Sequence, residues 1–215
     1  MPRIEDYKQA LDLVKKELSQ RDPHHIADLA GALIHSDPLG HKIMNLNFLN
    51  KEITITWPDL GLSFKDSDDD LPIQNQILLL HYLDGVKTGS RLKGEWVAFQ
   101  DIPDGRFYLD AFLKRPKDPL IKTFGHNPEL MLELATESLG AEPYEYGDFS
   151  VVLKAFPLVP VALIIWKGDE EFPPEGNILF DGSISDILSA EDIAWLAGMI
   201  VYPLIGMARG RGSTI

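Results

Sequence analysis

DFSVVLKAFPLVPVALIIWKGDEEFPPEGNILFDG, residues 148–182, is the stretch on which the fold class turns. Two apolar runs flank the tip WKGDEEF, in which three consecutive acids are bracketed by aromatic residues. A third strand-like run ends in Phe180-Asp181. Short runs rich in Val, Ile, Leu and Phe between turn signals read as strands. Strands are therefore expected at 149–155, 159–166 and 177–180. Phe156, Val161, Leu163, Ile165 and Phe180 are expected in the core, with Trp166 at the sheet margin. Proline cannot donate to a ladder, so Pro157 and Pro160 read as a turn or an edge.

Outward from this core, residues 4–20 carry an amphipathic helical stripe of Ile4, Tyr7, Leu11, Val14 and Leu18. Asp22-Pro23 opens a second helix whose apolar face is Ile26, Leu29, Ala30 and Leu33. Residues 42–49 and 52–57 read as a hairpin, and an acidic loop with Asp66, Asp68, Asp69 and Asp70 follows. The run at 72–87 reads as a buried helix, and Trp96 and Ala98 as a short strand. Pro103-Asp104-Gly105 is a turn, because Pro presets φ and Gly accepts positive φ. Short helices are expected near 107–114 and 119–124, and a longer one at 128–139 closed by Gly140. Ser183 and Ser189 each read as a helix cap, the second with Asp192 in a capping box. Helices and strands are segregated rather than alternating. The expectation is an α+β fold with an antiparallel β-sheet packed against several α-helices. It is read as a single domain over 1–215, with a helical N-terminal part over 1–40 and a flexible tail over 208–215.

Composition narrows the function classes. A net charge of −13 argues against nucleic acid, which calls for clustered Lys and Arg. With no cysteine, disulfides, thiolate metal sites and thiol catalysis are excluded. The charged start MPRIEDYKQALDLVKKEL has no apolar signal core, so a cytoplasmic protein is expected. Ile193–Ala208 runs sixteen residues without a charge. That is short of the roughly twenty a membrane span needs. It reads as a buried C-terminal helix and not a span, with Ile193, Leu196, Ile200 and Leu204 inward. Its remaining apolar surface is expected to meet a second copy in a homodimer.

Candidate chemistry is sparse. An EF-hand reading of the acidic loop fails, because Leu71 and Ile77 stand where Gly and Glu are required. His24 and His25 are adjacent on a helix and diverge by about 100°. His81 lies in an apolar helix three residues before Asp84, a spacing that suits metal binding or a tuned base. Asp169, Glu170 and Glu171 form the sharpest cluster, with Asp148 and Asp181 in reach if the strands pair. A charged hairpin tip that blocks edge-to-edge association is the simpler reading of that cluster. No glycine-rich phosphate loop and no serine-hydrolase elbow occurs.

Several phrases together carry a resemblance. Trp96-Val97-Ala98-Phe99 precedes Ile102-Pro103-Asp104-Gly105, and Asp148 precedes a strand. Phe156-Pro157 and Pro160 follow, then Trp166, Gly168-Asp169-Glu170-Glu171-Phe172 and Phe180-Asp181. In that order they resemble an uncharacterised family, a domain of unknown function, found mainly in anaerobic bacteria and archaea. Some of its members carry a cysteine-rich iron–sulfur module, for which this chain supplies no cysteine. The resemblance implies a link to anaerobic metabolism, names no cofactor, and draws attention to Trp166, Asp169, Glu170, Glu171, Phe172 and Asp181. Those six are the candidate ligand-binding residues of an uncharacterised soluble small-molecule-binding or accessory protein. The alternative is a metal-dependent hydrolase on His81, Asp169, Glu170 and Asp181.

Overall fold

The computed structural model describes residues 4–212. The fold is α+β, with two antiparallel sheets and flanking helices. The chain divides into two compact units. The first runs to Arg91 and takes in Phe156–Leu158 and Asp186–Leu188. The second holds Leu92–Ala155, Val159–Ser185 and the chain from Ser189.

The first unit contains α1 (Ile4–Leu18), α2 (Pro23–Ala30), β1 (Leu33–Ser36), β2 (Lys42–Phe48), β3 (Lys51–Trp57), β4 (Leu62–Phe64) and α3 (Ile73–Gly85). Asp22 caps α2 by accepting from His24 N, with Pro23 at the first position. Leu33 does not continue that helix as expected. Gly31 takes φ +68 and its N–H closes the helix on Ala27 O, so Leu33 joins the edge strand β1. A side chain at Gly31 would also meet Pro157 Cβ at 2.9 Å. The helical part expected over 1–40 therefore stops at Ala30. The β2–β3 hairpin pairs Phe48 with Lys51 across Leu49 and Asn50, both at positive φ, the turn whose twist matches its strands. α3 buries Ile77, Leu78, Leu79, Leu80, Tyr82 and Leu83, as its many-sided apolar pattern demands. Phe156 stacks on Tyr82 at 4.2 Å and lies 4.8 Å from Phe48, and the Tyr82 hydroxyl donates to Ala30 O at 2.8 Å. Burial pushes the Tyr82 hydroxyl far above its ordinary pKa.

The second unit contains β5 (Trp96–Ala98), α4 (Gly105–Phe112), α5 (Asp118–Phe124), α6 (Pro128–Leu139), β6 (Glu142–Pro143), β7 (Phe149–Phe156, its last residue in the first unit), β8 (Val159–Trp166), β9 (Glu175–Asp181) and α7 (Ala190–Gly212). The sheet order is β5-β9-β8-β7-β6. Pro160 thus lies inside the central strand β8 rather than in a turn. It is only the second residue, and the printed ladder to β9 begins one residue later, at Val161. Val161, Leu163 and Ile165 are fully buried on one face and Ala162 and Ile164 on the other, so β8 reads as a continuous apolar run.

The two short helices expected near 107–114 and 119–124 are joined. Residues 113–117 form a π-helical turn, in which Asp118 N–H donates to Leu113 O. Pro116 has no N–H, and its ring would strike the carbonyl four residues back. The wider turn lets the helix pass it. α7 packs on α4, α5 and α6, with Ile193, Leu196, Ile200 and Leu204 at 0% exposure. Ser189 and Asp192 form the expected capping box. The helix continues into the segment expected to be a flexible tail. There Arg211 bridges Glu133, at 2.7 Å, and Glu137 of α6. Residues 213–215 of that tail lie outside the described residues.

Candidate functional site

The acids singled out from sequence serve mainly as loop formers. Asp169 Oδ1 accepts the N–H groups of Glu171 and Phe172, each at 2.8 Å. Its own N–H donates to Phe172 O at 2.9 Å. The Phe172 and Glu171 N–H groups hold the Asp169 carboxyl below its usual pKa. Glu170, Glu171 and Phe172 project from this turn into solvent. Asp181 is buried, and its Oδ1 accepts Lys93 N and Ser183 N at 2.9 Å, while Oδ2 accepts Gly94 N at 2.7 Å. Burial would raise its pKa, but hydrogen bonds from Ser183, Lys93 and Gly94 outweigh that and lower it. Asp181 therefore clamps the 93–94 loop onto the end of β9.

His81 is half-buried on α3 in the first unit, whereas Asp169, Glu170 and Asp181 belong to the second. Asp84 is engaged by Arg21 Nη1 at 2.9 Å. Among the described residues, no three His, Asp or Glu side chains gather at metal-binding spacing.

Trp166 stands in a different setting. β8 and β9 pair Ala162 with Leu179, Ile164 with Asn177, and Trp166 with Glu175. β5 and β9 pair Trp96 with Asp181 and Ala98 with Leu179. Alternation puts Trp96, Ala98, Leu179, Ala162, Ile164 and Trp166 on one face. Ala162, Ile164 and Leu179 form a buried floor, with Trp96, Ala98, Val152 and Trp166 packed around it.

The loop after β6 completes the arrangement. Ser150 Oγ donates to Tyr144 O and accepts from Tyr146 N at 3.2 Å, so one hydroxyl shapes the segment carrying both tyrosines. Gly147 takes φ +67, and a Cβ there would lie 2.9 Å from Ile164 Cγ2 and 3.1 Å from the Trp166 ring. Asp148 Oδ2 accepts Lys167 N at 3.0 Å and ties the loop to the end of β8. Four rings then touch in series. Trp96 lies 5.9 Å from Tyr144 at 63°, and its Nε1–H donates to Tyr144 Oη at 3.0 Å. Tyr144 and Tyr146 are nearly parallel at 6.4 Å, and Tyr146 meets Trp166 edge-on at 6.3 Å. Tyr144 and Tyr146 remain 39% and 48% exposed, which leaves aromatic surface open above a firm apolar floor. Edge-on pairs at such distances are favourable beyond the area they bury.

Sequence reasoning found Trp166 and missed Tyr144, Tyr146 and Trp96 as its companions. The signal lay in Tyr144-Glu145-Tyr146-Gly147, two aromatics on alternate positions before a glycine.

No curated protein and no solved structure matches the chain. Residues 22–202 match the family described as a domain of unknown function (DUF3786), and across that span, which is most of its length, the chain belongs to this family.

Proposed function

We propose that the protein is a non-catalytic binding module whose second unit takes a small planar organic cation. The observation that carries this reading is the row Trp96, Tyr144, Tyr146 and Trp166, held in contact but partly open to solvent. The ring faces are negative, and a cation above one gains about 0.5–2 kcal/mol. Glu175 stands opposite Trp166 in the ladder, and Glu142 and Glu145 lie on β6 and the loop beside the tyrosines. These carboxylates and the overall charge of −13 favour a positive ligand. The hydrolase alternative has no such support, since Asp169 and Asp181 are occupied by backbone N–H groups. A cytoplasmic location and a homodimer through α7 belong to the same proposal. Light scattering in plain buffer tests the dimer.

The test is a titration with benzyltrimethylammonium followed by tryptophan fluorescence, with benzyl alcohol as the neutral comparison. Saturable quenching by the cation is expected, and Tyr146→Ala should weaken it about five- to tenfold, or about 1–1.4 kcal/mol. Equal response to the cation and the alcohol would remove the basis for this reading.

A further inference from the structure

We infer that the groove between α5 and α7 is a second site, one that takes a small organic anion with an apolar body. The groove encloses about 740 Å³, within the range of small-molecule sites. It is independent of the aromatic row, since no residue is shared between them.

The protein carries a net charge of −13, yet three cations line this one hollow. They come from three elements: Lys114 from the π-helical turn, Lys122 from α5 and Arg209 from α7. Asp118 is the single carboxylate of the lining, so the lining sums to 3 − 1 = +2. Asp110 lies 3.6 Å from Lys114 and lowers the total by one if counted, but both side chains are largely exposed, at 90% and 74%. Such a pair is weak and screened. The field in the groove is therefore positive against a negative background, which attracts anions.

The walls supply the second half of the recognition. Tyr202 is half-exposed and Ile205 lies beside it. Gly206 supplies no side chain, and a Cβ there would meet nothing within 4 Å. A bare inorganic anion would leave this apolar wall unused, and a neutral apolar molecule would leave the cations unmatched. The shared chemistry is an amphiphilic carboxylate or phosphate monoester. The π-helical turn strengthens the assignment, because such turns recur at functional sites and this one carries Lys114 into the lining.

The experiment is displacement of anilinonaphthalene sulfonate from the full chain by octanoate, by phenyl phosphate and by octanol. Octanoate or phenyl phosphate should displace the dye at concentrations at least tenfold below octanol, and which of them does so identifies the head group. Gly206→Trp should fill the groove and weaken that displacement at least tenfold. Lys122→Glu, an exposed change that leaves the core intact, should weaken the anion tenfold and leave octanol unchanged. The proposal is overturned if octanol matches both anions, if neither anion displaces the dye, or if Lys122→Glu binds as wild type. It is equally overturned if a folded Gly206→Trp, checked by circular dichroism, binds as wild type.

Discussion

Gly147 illustrates how a single residue can decide a surface. Its φ of +67 and its closeness to Ile164 and Trp166 leave no room for a side chain. Gly147→Ala should cost about 1–2 kcal/mol from the left-handed backbone alone. It should also shift Trp166 emission, because the Tyr144–Tyr146 segment must lift. Unchanged stability and emission would show that the loop is not seated on that ring. Asp181 makes the same point for charge. Asp181→Asn turns one acceptor into a donor facing another donor, so the Gly94 N–H loses its partner. A loss of about 1–3 kcal/mol in urea titration is expected for the orphaned group. Sequence chemistry identified Asp181 as an acid with work to do. Which hydrogen-bond donors it serves depended on Lys93 and Gly94, nearly ninety positions away along the chain.

Elements show which patterns carry over. α6 spans Pro128–Leu139 and is closed by Gly140 at φ +61, as the Asn127-Pro128 start and the terminal glycine require. β7, β8 and β9 match their apolar runs, because each strand's own residues supply two buried faces. Phe156→Ala should cost about 3–5 kcal/mol, since the ring stacks on Tyr82 and touches Phe48. A loss under about 1 kcal/mol would mean that the surroundings collapse onto the gap. α7 is long and apolar enough to cross a membrane by length and composition, and 39% of its apolar window is buried in the protein. Gly206 is exposed on it with open space around its Cα, so Gly206→Ala should stabilise by about 0.5–1 kcal/mol. A melting temperature that falls on that substitution would contradict the open geometry. The π-helical turn at 113–117 was hidden in the sequence, where Pro116 and the Asp118-Pro119 pair both argue for a break. Packing of α4 and α5 on α7 keeps the helix continuous.

For the whole molecule, the acid limb of stability follows from carboxylates whose pKa values are lowered on folding. Asp169 is lowered by the Phe172 and Glu171 N–H groups. At Asp37, burial opposes the shift, but the His41 side chain and the His41 and Leu39 N–H groups prevail. Asp181 behaves likewise through Ser183, Lys93 and Gly94. Each pKa falls below an ordinary value of 3.8, so the stabilisation is fully present above about pH 4 and is lost as pH drops through the folded values. The melting temperature should hold from pH 7 to 5 and decline below pH 4. The Asp181→Asn variant should decline less steeply. Parallel decline in both proteins would remove Asp181 from the account.

The α+β class, the antiparallel sheet strands, the buried stripe of α7 and the capping box at Ser189 were determined by the sequence alone. Each depends on periodicity or capping chemistry among residues close together in the chain. Tertiary structure decided the rest. It divided the strands into two sheets, ended α2 at Gly31 and carried a helix through Pro116. It turned Asp169 and Asp181 inward onto backbone N–H groups. It also brought Trp96, Tyr144, Tyr146 and Trp166 together from β5, the loop after β6, and β8. No local pattern encodes that row, because its contacts span up to 48 positions between Trp96 and Tyr144 and form only when β5, β9, β8 and β7 pair in register.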